Sequence, residues 1–165
     1  MEKYIEKLST YNILNNILPG VVFCYMCNRL LGIQLVDNSI VENLFIFYFI
    51  GMVISRIGSI IVEPVCKKCK IVQYAQYKDY VNASKKDEKI LVLLETNNTY
   101  RTMVALGILL LLFKLFLWLK EILCWFSAAS NWIIIGCLIL LFGFSYRKQT
   151  KYVKDRVEVA CKGEK

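Results

Sequence analysis

Four long apolar stretches divide this chain, and they constrain its fold more than any other feature. Their approximate bounds are 12–33, 41–63, 102–123 and 128–146. Charged residues crowd into the segments around them, at about 1–7, 67–101 and 147–165. A membrane span needs about 20 mostly apolar residues, and a soluble domain of 165 residues could not bury four such stretches. The sequence therefore predicts an all-α integral membrane protein with four transmembrane helices.

The first apolar stretch is the most interrupted of the four. Five residues break its apolar character: Asn15, Asn16, Pro19, Asn28 and Arg29. A cleaved signal peptide is the alternative for such a segment, but no A-x-A-like cleavage site follows a clean apolar core. We therefore expect this stretch to be a span.

Lysine and arginine predict the orientation, because cytoplasmic loops of membrane proteins carry an excess of both. Most of the 21 basic residues lie near the N-terminus, in the loop at about 64–101 and in the tail at about 147–165. Both termini and a helical loop between the second and third spans are therefore predicted to be cytoplasmic, in a multi-pass protein of the inner (plasma) membrane. The net charge of +8 favours contact with anionic lipid of the bilayer over binding of nucleic acid.

Seven cysteines and no histidines limit the metal chemistry. Cys24 and Cys27 form one C-x-x-C pair and Cys66 and Cys69 form another, a spacing that zinc sites use. Cys24 lies about 18 Å into the first span at 1.5 Å per residue, so a shared site is disfavoured. A redox role for CKKC is a second alternative, since flanking lysines favour the thiolate. Reduced cysteine is the favoured interpretation, and we predict no metal and no cofactor.

The central loop is long enough to have its own structure. Tyr74, Tyr77 and Val81 recur at helical spacing, with Lys70 and Lys78 beside them. This pattern predicts an amphipathic helix at the membrane surface, with its tyrosines at headgroup level. An aromatic and basic ligand surface is the alternative.

A second loop helix, DEKILVLLETNN, is expected after SKKD (84–87), which has the form of a capping box. A polar collar, ETNNTYRTM (95–103), follows just before the third span. Its hydrogen-bonding side chains are Glu95, Asn98, Tyr100 and Arg101. The collar is either an ordinary cap at the water interface or a docking surface for charges of the second span.

Those charges are Arg56 and Glu63, which lie where lipid is expected. Their i, i+3, i+7 spacing with Ser59 puts all three on one helix face. Arg56 and Glu63 are about 10 Å apart along the axis at 1.5 Å per residue, so each needs its own partner. We expect Glu95 to pair with Arg56, and Arg101 or a loop lysine to pair with Glu63.

Small residues form an overlapping stripe on this helix: Gly51, Ser55, Gly58 or Ser59, and Val62. Such stripes let helices approach closely in lipid, which predicts that span two is the central helix. Intramembrane charges usually face a bundle interior or a water-filled path. Since four short spans shield a central helix poorly, we predict a homo-oligomer with span two near its axis.

Lys114 is a further charge, deep in the third span, where a lysine costs roughly 2.5–3.5 kcal/mol on insertion scales. Three interpretations stay open: snorkelling to the outer face, where Lys120 also lies; an internal pair with Glu42; and a pore or ligand role.

Two motifs, RIGSIIVEP (56–64) and ETNNTYRTM (95–103), together with the four-span layout, give the chain a likeness to a known group. It resembles the small four-span membrane proteins of bacterial antiphage defence operons, of which the multi-subunit, channel-like effectors of Hailong systems are an example. In such systems a cytosolic enzyme that makes or senses a nucleotide triggers the membrane effector. The resemblance implies a toxic channel that stays closed until a nucleotide or oligonucleotide signal, or a partner enzyme, reaches the cytoplasmic loop.

The leading hypothesis is thus an oligomeric channel-like effector gated through its loop. The pore or buried-charge candidates are Arg56, Ser59, Glu63 and Lys114. The ligand or gating candidates are Tyr74, Tyr77, Lys78, Glu95, Asn98, Tyr100 and Arg101. A small multidrug-type transporter is one alternative, although Glu63 lies nearer the membrane edge than the midplane sites of transporters. A non-catalytic assembly or regulatory subunit is another. An enzyme is disfavoured, since the sequence has no HExxH motif, nucleophile elbow or phosphate loop.

Overall fold

The computed structural model describes residues 2–122 and 124–162, with side chains at 13, 15–119, 121–122 and 132–161. The described residues form helices and connecting turns, without a strand among them. The elements are α1 (Glu2–Leu31), α2 (Ile40–Ile57), a π-helical turn (Gly58–Val62), α3 (Glu63–Lys68), α4 (Tyr77–Ser84), α5 (Lys89–Ile122) and α6 (Cys124–Lys162).

The second span, its π turn and α3 form one uninterrupted helix from Ile40 to Lys68. Ser39 caps its start, because the Ser39 hydroxyl accepts a hydrogen bond from the Glu42 amide at 3.4 Å. Its end is set at Lys70, whose φ of 58° is the left-handed conformation that closes helices. Pro64 therefore does not end the helix.

Pro64 instead accounts for the π turn and for a free carbonyl within it. The amide of Glu63 donates five residues back, to the carbonyl of Gly58. In the same register the amide of residue 64 would donate to Ser59, but proline has no N–H. The Ser59 carbonyl is left without a backbone donor, which is a typical origin of a polar site inside a helix.

Helices α1 and α2 are antiparallel and touch backbone to backbone. A Cβ added to Gly20 of α1 would overlap the carbonyl of Phe47, and a Cβ added to Gly51 of α2 would overlap the carbonyl of Asn16. Only glycine allows this separation. The predicted small-residue stripe is thus used within one chain.

The third long helix, α5, covers another side of α2. Gly58 faces Ala105 and Arg101, and the hydroxyl of Thr99 bonds the Asn15 side chain of α1 at 3.1 Å. Apolar residues of all three helices fill the space between them: Phe23, Cys27, Ile54, Val62, Ala105 and Leu106. Span two is therefore the central helix of the chain, as its sequence predicts.

The last helix, α6, lies along α2 as well. The rings of Phe49 and Phe142 are 6.4 Å apart, and Lys148 reaches Ser59 farther along. The contacts of α1, α2, α5 and α6 alternate in chain direction, which is the arrangement of an up-down-up-down bundle. One end of it, here called the basic end, holds Lys67, Arg101 and Arg147.

Three helices are long and apolar enough to cross a membrane, by length and composition: Ile40–Lys68, Lys89–Leu119 and Trp132–Cys161. Large apolar side chains cover the outside of these helices, among them Phe45, Leu111 and Trp132, each more than two-thirds exposed. A surface of this kind suits lipid rather than water. The structure therefore agrees with the expected all-α membrane protein.

The central loop differs from its prediction. No separate second loop helix forms, because DEKILVLLETNN and the polar collar are the first turns of the continuous helix α5. Asp87 begins that helix by accepting from the Lys89 amide at 2.9 Å, whereas Ser84 donates to the Val81 carbonyl and does not form the expected capping box. The first loop helix exists as α4 and includes Tyr77 and Val81, but Tyr74 precedes it.

The tail continues α6 as a polar helix to Lys162. Leu123 of the predicted third span and residues 163–165 of the predicted tail lie outside the described residues.

Candidate functional site

A buried carboxylate at the basic end binds three cations. Glu63 is 6% exposed, and its oxygens lie 2.8 Å from Lys67 Nζ, 2.8 Å from Arg101 Nη1 and 3.2 Å from Lys148 Nζ. The cations come from α3, α5 and α6, so one side chain ties three helices together. We call these four residues the Glu63 clasp. The pairing of Glu63 with Arg101 and a loop lysine, expected from the sequence, is confirmed.

Lys148 also satisfies the carbonyl that Pro64 leaves free. Its ammonium donates to the Ser59 carbonyl at 2.6 Å and to the Ser59 hydroxyl at 2.9 Å, besides contacting Glu63. An unpaired carbonyl inside a helix bundle costs free energy comparable to a lost hydrogen bond. The Lys148–Ser59 hydrogen bond therefore links α6 to the π turn, and Pro64 creates the need for it.

Helices of the same chain bury Glu63. Sequence reasoning expected neighbouring subunits to shield this group, and that expectation is wrong for Glu63, because α5 and α6 cover it. Removing one partner of such a buried pair is costly, since the remaining charge stays buried without compensation. The clasp also carries more cations than it needs, three against one carboxylate. In addition, the Nε of Arg101 is buried without a hydrogen-bond partner in the described part of the chain.

Arg56 does not join the clasp. Its side chain is exposed, and it forms no ion pair with any residue that the structure describes, including Glu95. The predicted Arg56–Glu95 pair is thus wrong. The reason is the continuity of α5, which places Glu95 about 9 Å beyond Arg101 at 1.5 Å per residue. Arg56 instead lines a small notch between α2 and α6, with Ser59, Ser145, Lys148, Gln149 and Tyr152.

A larger aromatic groove opens next to this notch. Helices α4, α5 and α6 line it through Tyr77, Tyr80, Leu91, Tyr152, Val153 and Arg156, and its volume is about 470 Å³. Tyr77 and Tyr152 stack with ring centroids 6.1 Å apart at 24°. Burial raises the pKa of Tyr80, against the lowering effect of Arg156, so its hydroxyl stays protonated. The groove offers aromatic faces, hydroxyl donors and one guanidinium.

The other gating candidates divide into two groups. Tyr74 lies near the clasp, since Lys67 Nζ is 4.1 Å from its ring centroid and Asn97 donates to its hydroxyl at 3.3 Å. Lys78 and Tyr100 are exposed and are not among the described residues that line the groove.

Glu95 and Asn98 mainly support α5, because their backbone carbonyls accept from Thr99 and Thr102. The structure therefore brings Tyr77, Tyr74 and Arg101 to one region and leaves the rest apart.

Lys114 and Glu42 are both exposed and do not pair with each other in the described part of the chain. Of the three interpretations left open for Lys114, the internal pair with Glu42 is therefore wrong, and the side chain of Lys120 lies outside the described residues.

The six described cysteines are free thiols. Within residues 2–122 and 124–162, no group of three or more metal-ligating side chains comes together.

Sequence reasoning missed three residues of this region: Lys148, Tyr152 and Arg156. They recur every four residues of α6, so they share one helix face, and this face covers the clasp, the notch and the groove. Their spacing is a usable signal, but sequence reasoning used the basic residues of the tail only to predict orientation. Comparisons of the chain with protein families, with curated proteins and with solved structures give no match.

Proposed function

We propose that this protein is a four-span, oligomeric, channel-like effector of the bacterial inner membrane, with its basic end in the cytoplasm. The Glu63 clasp keeps it closed, and a signal at the basic end opens it. The single observation that carries the proposal is the buried carboxylate that ties α3, α5 and α6 beside an open aromatic groove. The resemblance of RIGSIIVEP and ETNNTYRTM to antiphage effectors supports a defence role.

The close packing inside one chain supports an oligomer. Ile54, Cys27 and Ala105 are fully buried between α1, α2 and α5, so these three helices pack tightly at their centre. We therefore place the ion path between copies of the chain, on their outer faces. Four spans per chain require α1 to cross the membrane beside α2, and their backbone contact at Gly20 and Gly51 supports this.

The groove provides a route from a signal to the clasp. Tyr152 lines both the groove and the notch, and it lies one helical turn after Lys148. A ligand that stacks on Tyr77 and Tyr152 and pairs with Arg156 would shift α6 and draw Lys148 away from Ser59 and Glu63. A nucleotide has both an aromatic base and a negative charge, so a cytosolic nucleotide signal fits this chemistry.

The test is the membrane potential of bacteria that express the protein. We expect Glu63→Ala to depolarise cells without any signal, because it releases three helices at once. Glu158→Ala is the matched control, since Glu158 forms only an exposed pair with Lys154 at 3.7 Å. Lys67→Met removes one clasp cation from the half-exposed side and should depolarise less. Equal membrane potentials for the wild type, Glu63→Ala and Glu158→Ala at equal expression would refute the proposed gate.

A further inference from the structure

Arg56 is a cation that the fold leaves without a counter-ion. It is exposed on α2 and has no ion pair within the residues described. A guanidinium on the outside of a membrane-spanning helix is costly unless water or an anion compensates it. The clasp next to it already has surplus positive charge, so it cannot supply that anion.

The depth of the notch matches the level of lipid phosphates. Helix α2 begins at Ile40, and about 20 helical residues cross the roughly 30 Å of hydrocarbon. Counting from Ile40 places the far boundary at about Ser59. Arg101 and Arg147 mark the same level on α5 and α6, since both lie at the basic end with the clasp. Arg56 starts one turn inside this boundary, a distance that its long side chain spans.

The notch itself offers donors for an anion. Its cavity of about 20 Å³ holds one water-sized group, such as a single phosphate oxygen. Arg56 has five N–H donors. The Ser59 hydroxyl accepts from Lys148, which leaves its own proton free to donate. The ammonium of Lys148 adds positive charge next to the Ser59 hydroxyl.

Within the described residues of the three candidate spans, a second copy of the chain offers no suitable carboxylate at this depth. In the three candidate spans the acidic residues besides Glu63 are Glu42, Glu95, Asp155 and Glu158. Glu42 lies about 21 Å from Arg56 along α2, Glu95 about 9 Å beyond Arg101, and Asp155 about 10 Å beyond Lys148, at 1.5 Å per residue. The phosphate of a lipid headgroup is an anion that does lie at this depth of a bilayer.

We propose that the notch of Arg56, Ser59, Lys148 and Gln149 binds the phosphate of an anionic phospholipid. The acyl chains lie along the apolar outer surface of α2 and α6, where Phe45 and Phe144 are each more than half exposed. The site goes beyond the channel proposal and does not depend on conduction.

The test uses the purified full chain in mild neutral detergent, with phosphatidylglycerol or phosphatidylcholine added. Native mass spectrometry counts the bound lipids, and the thermal unfolding midpoint is followed as lipid is titrated. We expect phosphatidylglycerol to bind and to raise the midpoint more than phosphatidylcholine does. Arg56→Gln should weaken the apparent affinity for phosphatidylglycerol at least tenfold. Arg147→Gln removes another exposed arginine at the same level, outside the notch, and should change it less than threefold.

A second variant keeps the test decisive if Arg56→Gln folds poorly. Gln149 is exposed at the rim of the notch, and Gln149→Glu should repel the phosphate while leaving the fold intact. Four results would overturn the site: wild-type affinity in both notch variants, equal losses in Arg56→Gln and Arg147→Gln, full stabilisation by inorganic phosphate alone, or chemical cross-linking of position 56 to a second chain.

Discussion

At the scale of single residues, Glu63 determines how the basic end is held together. Its carboxylate is surrounded by Lys67, Arg101 and Lys148, and it is the only acid at this level within the described spans. Three cations held close together would repel one another without it. The clasp therefore depends on one negative charge. If one cation is removed, the other two still contact Glu63.

We predict that Glu63→Gln lowers the free energy of unfolding by about 3–5 kcal/mol, because it leaves buried cations uncompensated. Glu158→Gln should cost about 0–1 kcal/mol, since an exposed pair contributes little. Thermal or denaturant unfolding of the two variants in the same detergent measures the difference. A loss no larger for Glu63→Gln than for Glu158→Gln would mean that the clasp does not stabilise the bundle.

At the scale of elements, the second span combines two devices on one helix. Its glycines bring it against α1 and α5, at Gly51 and Gly58. Its π turn, caused by Pro64, presents the carbonyl of Ser59 to Lys148 on α6. The close helix contacts require that Gly51 and Gly58 have no side chain. The Ser59–Lys148 contact requires that Pro64 has no N–H. Both are therefore sensitive to a single substitution.

We predict that Pro64 and Lys148 are coupled. In Pro64→Ala the new amide can bond the Ser59 carbonyl or restore the α-helical register, so Lys148→Met should then cost about 1 kcal/mol less than in the wild type. A double-mutant cycle of unfolding free energies measures this coupling, with Lys151→Met, an exposed lysine, as the control. Strictly additive losses would show that Lys148 does not serve the carbonyl that proline frees.

We predict that Gly51→Ala destabilises the bundle by about 1–3 kcal/mol, because its methyl group would force α1 away from α2. Gly143→Ala is the control, since a Cβ there meets nothing within 4 Å, and it should be neutral or slightly stabilising. Unfolding midpoints of the two variants test this. A tolerated alanine at Gly51 would contradict the backbone contact of α1 with α2.

Sequence reasoning succeeded where local chemistry decided the outcome. The stripe at Gly51 and Gly58 and the pairing of Glu63 with Arg101 follow from residue type and spacing. It failed where a distant segment decides how deep a partner lies. The continuous helix α5 carries Glu95 about 9 Å beyond Arg101, which leaves Arg56 without an ion pair in the described part of the chain, and no spacing within span two reveals that. The docking interpretation of the collar is borne out for Arg101, which contacts Glu63. The separate second loop helix was wrong, because turn-like polar residues such as Asn97 and Asn98 remain helical within α5.

At the scale of the whole molecule, the alternating contacts of four long helices put the start of α1, the end of α6 and α4 at the basic end. Three of these helices are apolar enough to cross a membrane, and α1 packs beside them through its contact with α2. A bundle of this shape places the 32–39 loop at the end opposite the basic end. The concentration of lysine and arginine at one end favours the cytoplasm for that end.

We predict that reporters of membrane sidedness inserted at residues 32–39 and at 71–76 give opposite signals. Reporters at both termini should agree with 71–76, since four crossings return the chain to the starting side. Inverted and right-side-out vesicles provide the comparison. An N-terminal reporter that agrees with 32–39 would reduce the protein to three crossings and place α1 outside the bilayer core.

The central claim is that the charge of Glu63 holds a membrane path closed, and ion flux through liposomes tests it most directly. We predict that liposomes with Glu63→Gln leak ions, whereas those with equal amounts of wild type or Glu158→Gln stay tight. If Glu63→Gln is inserted and folded but its liposomes are as tight as those of the wild type, the clasp does not control a conducting path.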